Sequence, residues 1–411
     1  MSDVKEVLSN PVVSGTSLQQ TKNNLQEDVR LKILVVGVGN AGNQVAVRAH
    51  KANLDVFAIN SSIRDLSDQI VDEDIPCFII GKEARGAGKN IEKGIELFKS
   101  NGKELFQTPK FIDKVQAADI VFVVGATGGG TGAAACPEIC TLLKKIYGDK
   151  KIVIFYGITP KNCDSTEALK NTLITLDKIK SLNIPYLLDD LHVYEDEAND
   201  RAFAKTDDHV VESIRAIAGH FLNISNSQMI DENDMKILAG EPGYMAVYML
   251  NNVTNAMLDK KSMQAMLIDR IKESPAMMIQ KDGIVRHMGV IINCPSDMTE
   301  ATKTGNYSEL TSFIGGRPSG GVFENYSVNN GTSGQFIVIL SGMTFPQNRI
   351  SQYIEIVKKD AENAQRVKNI DISAEVSQIK NLLPESDSSR LTSDTAASED
   401  DINDALGDYF S

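Results

Sequence analysis

Eight residues constrain this chain more than any others: Gly125-Ala126-Thr127-Gly128-Gly129-Gly130-Thr131-Gly132, set between a hydrophobic run (DIVFVV) and a helix-forming stretch (AAACPEICTLLKKIY). Without Cβ atoms the backbone can approach an anion closely. Several N–H groups then converge on it, and the N-terminus of the following helix adds a favourable dipole. Strand, glycine loop and helix in this order predict a cradle for a phosphate-bearing ligand.

The surroundings predict the sheet that would hold such a loop. From residue 31 onward six short apolar runs, LKILVVG, VFAIN, IPCFIIG, DIVFVVG, KIVIFYGIT and PYLLDD, alternate with polar or helical segments. Runs this apolar do not suit a half-exposed sheet, so the fold class is α/β with a parallel sheet covered on both faces. In such sheets ligands bind at the C-terminal ends of the strands. A second glycine loop, Gly37-Val38-Gly39-Asn40-Ala41-Gly42-Asn43-Gln44, stands at one of those ends.

That second loop is a formal GxGxxG, whose default meaning is a dinucleotide fold. The dinucleotide reading requires an acidic residue at the end of the second strand to hold the ribose. Here the strand ends Ala58-Ile59-Asn60-Ser61-Ser62, without the acid. A P-loop is excluded as well, because no GxxxxGK[ST] occurs; RGAGKN has Glu83 where the first glycine should stand. Two glycine loops about 90 residues apart point instead to one nucleotide held from two sides.

Composition narrows the partners. A net charge of -13 opposes sequence-independent nucleic-acid binding, which needs clustered Lys and Arg to displace counterions. No apolar run reaches the ~20 residues that span a bilayer, and the N-terminus lacks a signal layout, so a cytoplasmic protein without membrane contact is expected. Cys77, Cys136, Cys140, Cys163 and Cys294 are scattered and odd in number, which implies no disulfide framework. Cys136 and Cys140 lie at helical i, i+4 spacing but have no second ligand pair nearby, and are read as packing residues. The five histidines carry no metal or relay pattern.

Past the sheet, apolar residues at helical spacing predict a long helix from about Asp207 to Asn223 and a further helical region from Tyr244 to Lys272. Strands GVIINC, GVFENYSV and QFIVILSGM around a helical segment near 299–314 predict a smaller α/β unit, and QNRISQYIEIVKKDAENAQRVK a helix leading out of it. Residues 1–30 read as an N-terminal arm or extra helix. The tail, 383–411, is acidic and too polar to fold alone, although Ile402, Leu406 and Phe410 at i, i+4, i+8 could become helical on a basic partner.

GVGNAGN, AINSS, RGAGKN, GATGGGTGAA and MIDENDMK, in this order and at these separations, resemble the tubulin/FtsZ superfamily of filament-forming GTPases, over about residues 31–366. IDENDMK after the long helix, YLLDD before it and DIND in the acidic tail look most like the TubZ branch, found on plasmids and phages. The resemblance implies a GTP-binding domain at 31–206, a central helix at 207–224, a second (activation) α/β domain at 225–345, a C-terminal helix region at 346–382 and the tail. It also implies GTP/GDP and Mg²⁺ as ligands, the metal held through the phosphates rather than by assigned protein groups.

By the same resemblance Gly39, Asn40, Gly42 and Asn43 line one nucleotide loop and Asn60 and Ser61 a second. Gly86, Ala87 and Gly88 face the γ-phosphate, and Gly128, Gly129, Gly130, Thr131 and Gly132 cradle the phosphates. Pro160 follows the fifth strand, Glu167 meets the ribose, and Asp207 takes the guanine edge, with Asp208 as the adjacent alternative. Asp231 and Asp234 would be catalytic, entering the site of the next protomer in a head-to-tail filament. The implied setting is the bacterial cytoplasm, with plasmid or phage DNA reached through a DNA-binding adaptor and not by direct contact. Three departures stand out: Met229 and Asn171 replace an Asn and an Arg of FtsZ, and Ala134 replaces the last Gly of the extended signature. The first two weigh against the alternative, a cell-division scaffold of FtsZ type; a nucleotide-dependent oxidoreductase is the remote third reading.

Overall fold

The computed structural model describes residues 31–70, 74–83, 85–222, 230–276, 283–298, 302 and 307–368. The expected N-terminal arm, Met229 and the acidic tail lie outside them. Contacts divide the chain into Met1–Lys358 and Lys359–Ser411, and of the second unit only the end of one helix is described.

In chain order the first half runs β1 (Ile33–Val38), α1 (Gly39–Lys51), β2 (Asp55–Asn60), α2 (Ile63–Ile70), β3 (Cys77–Ile79), α3 (Ile91–Leu105), α4 (Pro109–Ala117), β4 (Ile120–Ala126), α5 (Thr131–Tyr147), β5 (Ile152–Thr159), α6 (Thr166–Ser181), β6 (Pro185–Asp190) and α7 (Asn199–Ile217). It continues α8 (Glu232–Gly240), β7 (Gly243–Val253), α9 (Asn255–Leu258), α10 (Met263–Glu273), β8 (His287–Pro295), α11 (Ser308–Phe313), β9 (Gly321–Asn329), β10 (Gly334–Met343) and α12 (Gln347–Lys368).

The six apolar runs became six parallel strands in the order β3-β2-β1-β4-β5-β6. Every residue of β1 is buried, because helices cover both faces. Alternate residues serve the two layers: Leu34, Val36 and Val38 pack with Phe111 and Ile139, whereas Ile33 and Val35 pack with Val45, Val210 and Ile214. The chain leaves β1 toward β2 on one side and reaches β4 on the other, so the strand order reverses between β1 and β4. A crevice opens at such a reversal, beyond the carboxyl ends of the two strands. Both glycine loops begin there, since Val38 of β1 pairs with Gly125 of β4.

Three expectations are corrected. The segment from Tyr244, read as helical, is β7: Tyr244–Tyr248 are buried, and a short continuous apolar run does not distinguish a buried strand from a helix by period. β7 pairs parallel with β6 and antiparallel with β10, so the expected smaller unit extends the same ten-stranded sheet. The long helix begins at Asn199, eight residues before Asp207, because Arg201, Ala202 and Lys205 are good helix formers and Ala202 is buried. It ends at Ile217, since Gly219 adopts φ +77° and its N–H, with that of His220, closes the last turn.

The first turns of α12 are held to β6 and the segment after β5 by a buried cluster. Arg349 forks onto Asp190 at the end of β6, through Nε to Oδ2 at 2.5 Å and Nη2 to Oδ1 at 3.2 Å, and donates to Asn162 Oδ1 at 2.7 Å. Tyr353 donates to the Pro160 carbonyl at 3.0 Å. Removing one partner strands the other charge out of water. Arg349→Ala should therefore destabilise the fold by roughly 3–5 kcal/mol, read as a lowered urea midpoint, and an unchanged midpoint would show that the cluster is replaceable.

Candidate nucleotide site

A cavity of about 570 Å³ occupies the crevice, within the range of small-ligand sites. Its floor is built by three loops that touch one another. Gly39 adopts φ +72°, and a Cβ there would lie 3.1 Å from Gly132 N, so the loop after β1 rests against the start of α5. Gly130 approaches the third loop more closely: a Cβ would meet Gly88 O at 2.8 Å and Ala87 Cβ at 2.9 Å. Side chains lock the remainder. Ser61 Oγ and Thr131 Oγ1 share a hydrogen bond of 2.6 Å, and Gly86 N–H donates to Ser61 O at 2.7 Å.

Most of the sequence-predicted residues converge here. Gly39, Asn40, Asn60, Gly86, Ala87, Gly88, Gly128, Gly129, Gly130, Thr131, Gly132, Pro160 and Asp207 line the cavity. Gly42, Asn43 and Ser61 stand behind the wall. Asn43 is buried, its amide turned to donate to Gly37 O and Ile59 O and to accept from Asn60 Nδ2. Asn60 Oδ1 in turn accepts from the N–H groups of Ser61 and Ser62. No side chain caps α5, whose N-terminus opens on the cavity. The result is a concave surface rich in backbone N–H groups, suited to phosphates.

Glu167 is not brought in: it is exposed on the first turn of α6, and Asp164 and Ala168 line the wall there. The far end of the cavity is formed by Leu191, Phe203, Thr206 and Asp207. Phe203 keeps 42% of its surface exposed one helical turn before Asp207, which places an accessible aromatic beside a carboxylate. Sequence reasoning passed over Phe203; its signal was the i, i+4 spacing to Asp207 within one helix.

Asp207 is 3% exposed and lies two turns into α7, not at its start. Burial pushes its carboxyl up to about 7, and the Arg48 guanidinium, whose Nε reaches Oδ2 at 3.2 Å, pulls in the opposite direction. Asp208 is exposed and pairs with Arg48 Nη1 at 2.8 Å, away from the lining.

Asp231 and Asp234 are elsewhere. Asp231 caps α8: Asp234 N–H donates to Asp231 Oδ1 at 2.8 Å, and Asp231 N–H donates to Asp234 Oδ2 at 3.2 Å. The expected loop acids are thus the N-cap and first turn of a helix. α8 packs at the amino ends of the parallel strands, where a Cβ on Gly240 would lie 3.6 Å from Ile152, the first residue of β5. The cavity opens at the carboxyl ends of the same sheet, roughly 25 Å away at ~3.3 Å per strand residue.

Fold and cavity together define an α/β domain with glycine loops and a cavity at the strand-order switch. Residues 32–183 match the Tubulin/FtsZ family, GTPase domain. Among curated relatives, the tubulin-like protein CetZ of Thermococcus kodakarensis is 26% identical over 216 residues, 51% of this chain and 56% of CetZ. Cell division protein FtsZ 1 of the same organism is 27% identical over 175 residues, covering 41% and 44%. The match spans about half the length of these relatives. Among solved structures, TubZ of Clostridium botulinum phage c-st superposes with TM-score 0.64 at 19% identity, covering 81% of this chain and 98% of TubZ. CetZ2 from Haloferax volcanii, a GTPγS-bound protofilament, gives 0.66 at 17%, covering 82% and 100%. These likenesses show the shared fold.

The buried Asp207 gives a signed pH dependence. Its folded carboxyl titrates near 7 against an ordinary value of 3.8, so the folded state holds an extra proton between those limits. This contribution to stability is complete below the unfolded value and is lost as pH rises through about 7, with a slope of at most about 1.4 kcal/mol per pH unit. Urea midpoints of the wild type and Asp207→Asn, compared from pH 4 to 8, should converge at low pH and separate in favour of the variant as pH rises. Parallel curves would contradict the assignment.

Proposed function

We propose that the cavity binds GTP and that hydrolysis is completed between protomers. The observation that carries this reading is the separation of the N–H-lined cavity from Asp231 and Asp234 at opposite ends of one sheet. A single protomer cannot bring them together; a head-to-tail neighbour can. The contact is heterologous, so it repeats into an open filament.

In this reading the loops at 86–88 and 128–132 hold the phosphates, Asp207 accepts from the guanine N1–H and N2–H, and Phe203 covers the base face. Mg²⁺ on the phosphate oxygens would offset charge that the amides leave. Asp231 and Asp234 of the next protomer orient a water whose oxygen bonds to the γ-phosphorus. The bond from that phosphorus to the β–γ bridging oxygen breaks, leaving GDP and inorganic phosphate. Loss of γ-phosphate contacts at Gly86–Gly88 then weakens the interface.

The cargo of such a filament is proposed to be plasmid or phage DNA held through a DNA-binding adaptor, a reading that the TubZ-like features support and that the net charge of -13 fits. The curated relatives named for cell division favour a second reading, a division scaffold. A helix-turn-helix gene beside repeated DNA sites next to this gene would select segregation.

Asparagine caps a helix about as well as aspartate, so Asp231→Asn separates charge from capping. Filaments should still form with GTP while phosphate release falls by roughly 10²-fold or more. Wild-type turnover in this variant would sink the shared site.

A further inference from the structure

We infer that Asn171 is the positioning residue that aims the triple-glycine cradle at the phosphates, an inference that rests on the GTP reading above. Asn171 lies on α6, outside every loop it serves, and is fully buried. Its Nδ2 donates to Lys89 O at 2.8 Å and to Gly128 O and Gly129 O at 3.3 Å each. One amide therefore ties the loop that follows Gly86–Gly88 to the loop at 128–130.

The consequence follows from the planar trans peptide, in which C=O and N–H point in opposite directions. Holding the carbonyls of Gly128 and Gly129 toward α6 turns the N–H groups of Gly129 and Gly130 the other way, toward the cavity that these residues line. Glycine peptides resist reorientation least, since no Cβ restricts φ and ψ. Gly129 is free to turn, because a Cβ there would have no heavy atom nearer than 3.9 Å. Preorganised donors are worth more than donors that must be turned on binding. The neighbouring side chains hold the same strip of α6 in place: Thr172 Oγ1 meets Thr127 Oγ1 at 2.9 Å, and Thr175 Oγ1 donates to Ala133 O at 3.1 Å.

A second observation separates this role from plain packing. Asn171 Oδ1 is buried and has no hydrogen-bond partner among the described residues. An amide whose oxygen is left unpaired is retained for what its nitrogen holds, the carbonyls of Lys89, Gly128 and Gly129. The position is also one of the three at which the sequence departs from the FtsZ pattern.

Asn171→Leu tests the inference with GTP, GDP and guanosine titrated calorimetrically or by competition, beside a thermal unfolding scan. Affinity for GTP and GDP should fall roughly tenfold or more, guanosine should bind as to the wild type, and the unfolding scan should show a folded protein with a lowered midpoint, since Lys89 O, Gly128 O and Gly129 O lose their donor. Asn171→Met, uncharged and unable to donate, should show the same split. Parallel losses for nucleotides and guanosine, or no loss in either variant, would overturn the positioning role. A wild type that binds guanosine as tightly as GTP would instead overturn the GTP reading itself.

Discussion

The structure depends on how closely three backbones approach beyond the ends of β1 and β4. The loop after β1, the loop at Gly86–Gly88 and the triple-glycine loop touch through main-chain atoms, with a Cβ on Gly130 excluded by Gly88 O at 2.8 Å and Ala87 Cβ at 2.9 Å. No side chain could mediate contacts this short. What results is a floor of peptide groups whose orientation is fixed from outside, by Ser61 on Thr131, by Asn43 on Asn60 and by Asn171 on the glycine carbonyls. The orientation of these peptide groups is therefore a property of the fold's packing, with buried polar side chains acting from behind.

The two ends of the cavity are built by different physics. At the glycine-loop end the charges are partial, carried by N–H groups and a helix terminus, with no titratable residue needed to supply them. At the opposite end Asp207 is taken out of water and kept near its neutral point by burial, while Arg48 draws it back toward the ion. A carboxylate poised in this way is sensitive to what enters the cavity. A base edge with two donors would complete its hydrogen bonding and favour the ionised form.

Much of this was legible in the residues. The apolar runs read as parallel strands, all but the edge strand β3 being buried nearly throughout, and the glycine loops read as strand-end loops because strand, loop and helix follow in order. β7 was misread for the same reason that β1 was read correctly: YMAVYML is apolar throughout, and its length and burial suit either element until β10 pairs with it. The start of α7 was misplaced because RAFAK carries no N-cap signal, so propensity alone extends it. Asn171 was seen only as a departure from a family pattern. Its role depends on carbonyls 82 and 43 residues distant, a relation that no local spacing expresses. Asp231 and Asp234 were legible as a pair, placed by the resemblance on the face opposite the nucleotide, but their capping of α8 came only with the fold.

The central claim is that the active site is divided between neighbours, and mixing two defective proteins tests it most directly. One partner would carry Gly130→Val, which blocks the cavity loops, and the other Asp231→Asn with Asp234→Asn. Phosphate release is measured for each alone and for an equimolar mixture with GTP. The account predicts two nearly silent proteins and an active mixture, because some interfaces pair an intact cavity with intact acids. A mixture no more active than the sum of its parts, under conditions where both proteins co-assemble, would contradict it.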